Sequence, residues 1–148
     1  MPEMACGLDG TLLGFDFGHR RIGVAVGQTL TGTANALTVL TSTQGPDWQA
    51  LARLAREWKP VAMVVGLPLA ADGIETDMSK DARRFGDQLR ERFGCPVSFQ
   101  DERLTSLAAD ERFASARTKG GMRRKDAAMK DAMAAQIILE NWLQENGA

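Results

Sequence analysis

Three groups of acidic residues stand where acids are hard to explain one at a time. Asp16 sits inside Thr11 to Phe17, a run that is otherwise almost continuously apolar. A lone buried carboxylate is costly, and its pKa rises unless a cation or a donor compensates it. Asp101 and Glu102 come together just where a later apolar strand ends. Asp131 lies near the start of the last helical segment and shares its stripe with Ala134, Ala135, Ile138 and Trp142, so it is expected to point inward. Each has an ordinary explanation: a partner arginine for Asp16, a loop ion pair with Arg103 for the strand-end acids, and a favourable helix N-terminal charge for Asp131. A single arrangement accounts for all three. Carboxylates from a first strand, a later strand end and a C-terminal helix would converge on divalent cations. Mg²⁺ takes oxygen ligands and keeps several waters, and a pair of such ions can activate water and stabilise the leaving oxygen of a phosphodiester.

A basic, glycine-interrupted segment, Arg117 to Lys125, carries Arg117, Lys119, Arg123, Arg124 and Lys125 without apolar periodicity. It reads as a loop. Together with Arg20, Arg21 and Arg103 it could hold a phosphate backbone; alone it would be an ordinary solvated charge run. His19 is the only histidine, so no histidine metal triad or Ser-His-Asp triad stands out, and it reads as a loop residue. Trp48, Trp58 and Trp142 fall at helical core positions and suit packing better than base stacking. Asp9-Gly10-Thr11-Leu12 has half of a haloacid-dehalogenase nucleophile motif, but Gly7 stands where that motif needs an aspartate. There is no P-loop and no GxGxxG.

These residues need a scaffold. Thr11 to Phe17 has the pattern of a strand covered on both faces. Arg20 to Val26 and Thr33 to Thr41 read as two further strands with short links, which suggests an antiparallel meander. Gly45-Pro46-Asp47 then signals a helix start with Asp47 as N-cap. Trp48, Leu51, Leu54, Ala55 and Trp58 follow at helical spacing, and Pro60 stops the helix. Val61 to Val65 is a buried strand. A second helix carries Met78, Ala82, Phe85, Leu89 and Phe93, with Gly94 at its C-terminal cap. Pro96 to Gln100 is a fifth strand. Thr105 or Ser106 can cap a third helix to about Ala116. The last helix runs from about Asp126 to Gln144 and is apolar over much of its circumference, through Met129, Met133, Ala134, Ile137, Ile138, Trp142 and Leu143. The order βββαβαβαα, without repeats or an interior linker, predicts one α/β domain over 11–148 after a short variable lead at 1–10.

The 148 residues are enough for one domain with its own core. With 18 basic and 19 acidic residues the net charge is −1, which excludes a polybasic tail protein, so any nucleic-acid partner must meet a local patch. Cys6 and Cys95 stand far apart with no CxxC, which excludes a disulfide scaffold and a cysteine-rich zinc site. No spanning segment appears, since Val61 to Ala71 is broken by Gly66 and Pro68. The first residues lack a signal-peptide pattern, so the expected location is the cytoplasm, with no membrane partner.

Four motifs in series carry a family resemblance. They are Asp16-Phe17-Gly18 with Arg21-Ile22-Gly23-Val24-Ala25; Val65-Gly66-Leu67-Pro68; Asp101-Glu102-Arg103-Leu104-Thr105; and Asp131 with Ala134-Ala135-Gln136-Ile137-Ile138-Leu139. From about residue 11 to the end, in order, the chain resembles the YqgF family, also called RuvX, described as pre-16S rRNA nucleases and Holliday junction resolvases. The resemblance implies an RNase H-like fold: a five-stranded mixed sheet, three antiparallel strands followed by parallel βαβ units, flanked by helices. It implies a nuclease dependent on Mg²⁺ or Mn²⁺ that acts on structured RNA or branched DNA. Trimming of the small-subunit ribosomal RNA precursor is the expected role. By position, Asp16, Glu102 and Asp131 take the acidic roles. The family usually has an apolar residue directly before the last acid, where this chain has Lys130, so Asp126 is a rival for that place. Asp101 and Glu102 point to opposite faces of a strand, so only one of them should face a metal.

Two other functions fit parts of the pattern. An ATP-binding protein of the actin, Hsp70 and sugar-kinase superfamily also begins strand, Asp-x-Gly, strand, but needs two such domains. A non-catalytic module could keep the same fold as a protein or RNA platform, against which stand the acids at all three positions.

Overall fold

The structure is a computed structural model that describes residues 10–70, 72–101 and 124–146, the last as a helix with side chains from Met129 onward. Its elements are β1 (Thr11–Phe17), β2 (Arg21–Gln28), β3 (Thr33–Thr41), α1 (Trp48–Trp58), β4 (Ala62–Leu67), α2 (Asp77–Phe93), β5 (Val97–Asp101) and α3 (Arg124–Asn146). The five strands form one sheet in the order β3-β2-β1-β4-β5. β1 pairs antiparallel with β2 and parallel with β4, and β4 pairs parallel with β5. The expected meander followed by parallel βαβ units is what forms. The expected third helix at 105–116 lies outside the described residues.

Local chemistry sets the boundaries. The Asp47 carboxylate accepts from the Ala50 N–H at 3.1 Å and caps α1. At the other end Lys59 adopts a left-handed φ of 47° before Pro60, which cannot continue the helix. Thr76 and Ser79 form a reciprocal capping box at the start of α2. Gly94, at φ 69°, ends it as the sequence predicts. The Ser79 hydroxyl also donates to the Pro68 carbonyl, which ties the chain leaving β4 to the start of α2. One irregularity was not legible: Val24 faces Thr38 but Ala25 faces Ala36, so Leu37 is an extra residue in β3.

The sheet separates two cores. On one face Leu13, Phe15, Ile22, Val24, Met63 and Val65 meet Leu51 of α1 and Ala82, Phe85 and Leu89 of α2. Phe85 is the hub there, with ring centroids 5.7 Å from Phe15, 5.0 Å from Phe17 and 5.8 Å from Trp48. On the other face Leu12, Ala25 and Val64 meet Ala135, Ile138, Leu139, Trp142 and Leu143 of α3. Trp48 and Trp142 are thus packing residues, as the helical spacing suggests. Two expectations for α3 need correction. The helix starts at Arg124, so Arg124 and Lys125 belong to its first turn and not to the preceding loop. Met129 does not join the apolar stripe: it is exposed, one of three large apolar side chains so placed among the described residues. The seam runs instead through Ala132, Ala135, Ile138, Leu139, Trp142 and Leu143, with one or two residues at each i+3 or i+4 step.

Candidate active site

The site follows from the alternation of β1. Leu12 belongs to the core under α3, and an added Cβ at Gly14 would meet Leu139 Cβ at 3.0 Å. Asp16 is the next residue of that face, so its carboxylate points to the α3 side of the sheet at the carboxyl end of β1. It is half-buried.

β2 brings the second acid. Asp16 stands opposite Gly23. A Cβ at Gly23 would collide with the carbonyl of Asp131 and stand 2.9 Å from the Ala132 nitrogen. The bare backbone of Gly23 therefore lets α3 lie directly on β2, and the residue that lands there is Asp131. The Asp131 side chain is 28% exposed, so it does turn inward, as its stripe predicts. Arg21, on the same face two residues before Gly23, donates from Nε to Asp131 Oδ2 at 2.7 Å. The sequence offered Gly23 only as a motif letter. A glycine inside a strand is nevertheless the usual mark of close backbone approach, and it was the available signal for this seat.

Burial pushes the Asp16 carboxyl up from 3.8 to about 7, and the neighbouring Asp131 carboxylate adds to the rise. This gives a signed prediction for metal-free protein. Folded Asp16 holds its proton between about pH 4 and 7 while the unfolded chain has released it. Stability should therefore fall as pH rises through that window. Melting temperatures in a chelator across this range should show the decline, and Asp16→Asn should flatten it. An unchanged slope in the variant would mean that Asp16 does not carry the strain.

Asp101 ends β5 opposite Leu67. Leu67 belongs to the core under α1 and α2, so Asp101 stands on the sheet face away from Asp16. Gln100 faces the α3 side and donates to Glu145 Oε2 at 2.9 Å. Arg20 is exposed in the β1–β2 turn at the same sheet end as Asp16. His19 is in that turn, as expected, and meets Asp81 of α2 at 2.7 Å, a contact the sequence did not suggest. Glu102, Arg103, Arg117, Lys119 and Arg123 lie outside the described residues. The backbone of Asp126, Arg124 and Lys125 forms the first turn of α3, and their side chains lie outside the description.

The donor set suits a hard divalent cation. Two carboxylates approach each other on one face, one of them held high by burial and by its neighbour, and a cation between them would relieve both effects. Among the described residues no third His, Cys, Asp or Glu completes a cluster with them. A cleft of about 340 Å³ lies elsewhere, between the end of α1 and Met63, Phe93 and Cys95. None of the acids lines it.

Comparison with known proteins matches residues 10–145 to the family model described as "RuvX: Holliday junction resolvase". A protein of Xanthomonas euvesicatoria pv. vesicatoria (strain 85-10), named "Putative pre-16S rRNA nuclease", is 50% identical over 145 residues, 97% of this chain and 94% of the relative. One of Xanthomonas campestris pv. campestris (strain B100) with the same name is 49% identical over the same shares. Among solved structures, Thermus thermophilus RuvC in complex with a Holliday junction substrate matches with a TM-score of 0.51 and 18% identity, covering 94% of this chain and 98% of that one. That likeness speaks for the RNase H-like fold.

Proposed function

This chain belongs to the RuvX family, and on that premise we propose that it is a metal-dependent nuclease that matures the 5′ end of the small-subunit ribosomal RNA precursor. The observation that supports it most is the convergence of Asp16 and Asp131 across the bare backbone of Gly23. The names of the curated relatives support the RNA substrate. The family description supports a second reading, cleavage of branched DNA by the same site.

Asp16, Glu102 and Asp131 would hold Mg²⁺ or Mn²⁺. Asp101 stands on the other face of the sheet, which supports Glu102 as the acid of that pair for the role. When bound, such ions supply an activated water and charge stabilisation for the leaving oxygen. The chain's own residues do the positioning. β1 is the central strand, paired on both sides, so it fixes the Asp16 carboxylate with the least freedom to adjust. α3 carries Asp131 on a seam of buried residues that resists sliding. Arg20, Arg103, Arg117, Lys119, Arg123, Arg124 and Lys125 are the cations for the phosphate backbone. Their contacts should make binding fall steeply with salt. Among the described residues no helix is long and apolar enough to cross a membrane, and the proposed place of action is the cytoplasm, with the ribosomal precursor.

The third carboxylate has its own test. Asp131→Asn should leave a trace of cleavage that Mn²⁺, less strict about geometry, partly restores. Asp126→Asn should be near neutral. Single-turnover cleavage of one structured RNA by both variants in each metal decides between them. An inactive Asp126→Asn beside an active Asp131→Asn would transfer the role to Asp126.

A further inference from the structure

We infer that Arg21 is a positioning residue for the third carboxylate: its Nε fixes Asp131 Oδ2 at 2.7 Å and so presents the other Asp131 oxygen to a cation shared with Asp16. This rests on the metal-site reading above and assigns within it a role that the phosphate-binding expectation for Arg21 did not contain.

The placement is built into the sheet. Arg21 opens β2, and its neighbour Ile22 is buried in the core on the α1 and α2 side. Arg21 and Gly23 therefore share the opposite face. Gly23 seats the Asp131 backbone, and Asp16 stands directly across the β1–β2 ladder from Gly23. Arg21, Asp131 and Asp16 are thus brought together by one register and one missing side chain. The pair is not a credible source of stability. The Arg21 side chain is 44% exposed and that of Asp131 28%, and ion pairs so exposed contribute roughly 0–1 kcal/mol. Its consequence is geometric. A guanidinium is a rigid planar donor, and one bond from Nε takes an oxygen and a torsion from a carboxylate that could otherwise turn toward water. Residues that orient metal-binding side chains in this way typically contribute about 10–100-fold to affinity or activity.

Charge and geometry predict opposite signs, which makes the inference testable. A cation beside an acid pair repels Mg²⁺. If charge were all that Arg21 supplied, R21Q would bind Mg²⁺ more tightly. If Arg21 positions Asp131, R21Q should bind it roughly tenfold more weakly, although a positive charge has gone. R21K keeps the charge but loses the planar fork, so it should recover only part of the affinity. The experiment is calorimetric titration of Mg²⁺ into the full chain, wild type and both variants. Chelator-treated melting temperatures run alongside, and should stay close to the parent because the pair is partly exposed and contributes little to stability. Weaker Mg²⁺ binding by R21Q, with R21K between it and the parent, supports the inference. Equal or tighter binding by R21Q overturns it while the metal site stands. If R21Q then also loses RNA affinity with a shallower salt dependence, Arg21 is a phosphate contact. No Mg²⁺ binding by the wild type overturns both the inference and the reading on which it rests.

Discussion

Gly23→Ala is expected to lower the melting temperature and to disable the site together, although a strand interior ordinarily tolerates alanine better than glycine. The added Cβ would collide with the Asp131 carbonyl and approach the Ala132 nitrogen to 2.9 Å. Both are helix backbone, so no rotamer change relieves the clash, and α3 has to lift from β2. Overpacking of this kind costs roughly 1–3 kcal/mol, or about 3–10 °C for a chain of this length. The larger effect is on chemistry. Lifting α3 carries Asp131 away from Asp16, and a displacement of about 1 Å can cost on the order of 10²-fold in rate. Gly14→Ala is the internal comparison. Its Cβ would meet Leu139 Cβ at 3.0 Å and the Ala135 carbonyl oxygen at 3.3 Å. That crowding is milder and lies one to two turns further along α3, so Gly14→Ala should cost stability but spare Mg²⁺ binding. Thermal melts and Mg²⁺ titrations of the two variants check this. Parent-like Mg²⁺ binding by Gly23→Ala would mean that the seat of α3 on β2 does not place Asp131.

Asp16→Asn should abolish cleavage while leaving the fold intact. Asparagine is nearly isosteric and removes the charge that burial disfavours, along with its repulsion from Asp131. Metal-free protein at neutral pH should therefore melt no lower than the parent. Mg²⁺ should raise the parent's melting temperature by mass action and the variant's far less. Asp16 would be a ligand of the proposed metal, which would supply the activated water and stabilise the leaving oxygen, so its loss should weaken both. A loss of roughly 10³-fold or more is expected, equivalent to about 4 kcal/mol of transition-state stabilisation. A variant that melts well below the parent and gains nothing from metal would point to a structural role for the carboxylate.

Much of this was legible because single residues contradict their surroundings. A charge in the middle of an apolar strand marked Asp16. Asp47, Pro60 and Gly94 marked helix ends by chemistry that needs no tertiary context. The inward turn of Asp131 follows from its stripe. Other features depend on contacts across the chain, which periodicity does not register. The Gly23 seat joins residues more than a hundred positions apart, and so does the Arg21–Asp131 bond. The face taken by Asp101 follows from its pairing with Leu67, which only the strand order reveals. Periodicity does not register the start of α3 at Arg124, since arginine and lysine favour helix without leaving an apolar pattern. Met129 is exposed, yet an apolar residue near a helix start is indistinguishable in sequence from one on the seam.

The most direct test is single-turnover cleavage of a 5′-extended small-subunit rRNA precursor by the wild type and Asp16→Asn, with Mg²⁺ and with chelator. The wild type should cleave in Mg²⁺ and stop in chelator, and folded Asp16→Asn should leave the precursor intact in both. Cleavage by Asp16→Asn at the parental rate, or by the wild type in chelator, would contradict a metal-dependent nuclease centred on Asp16.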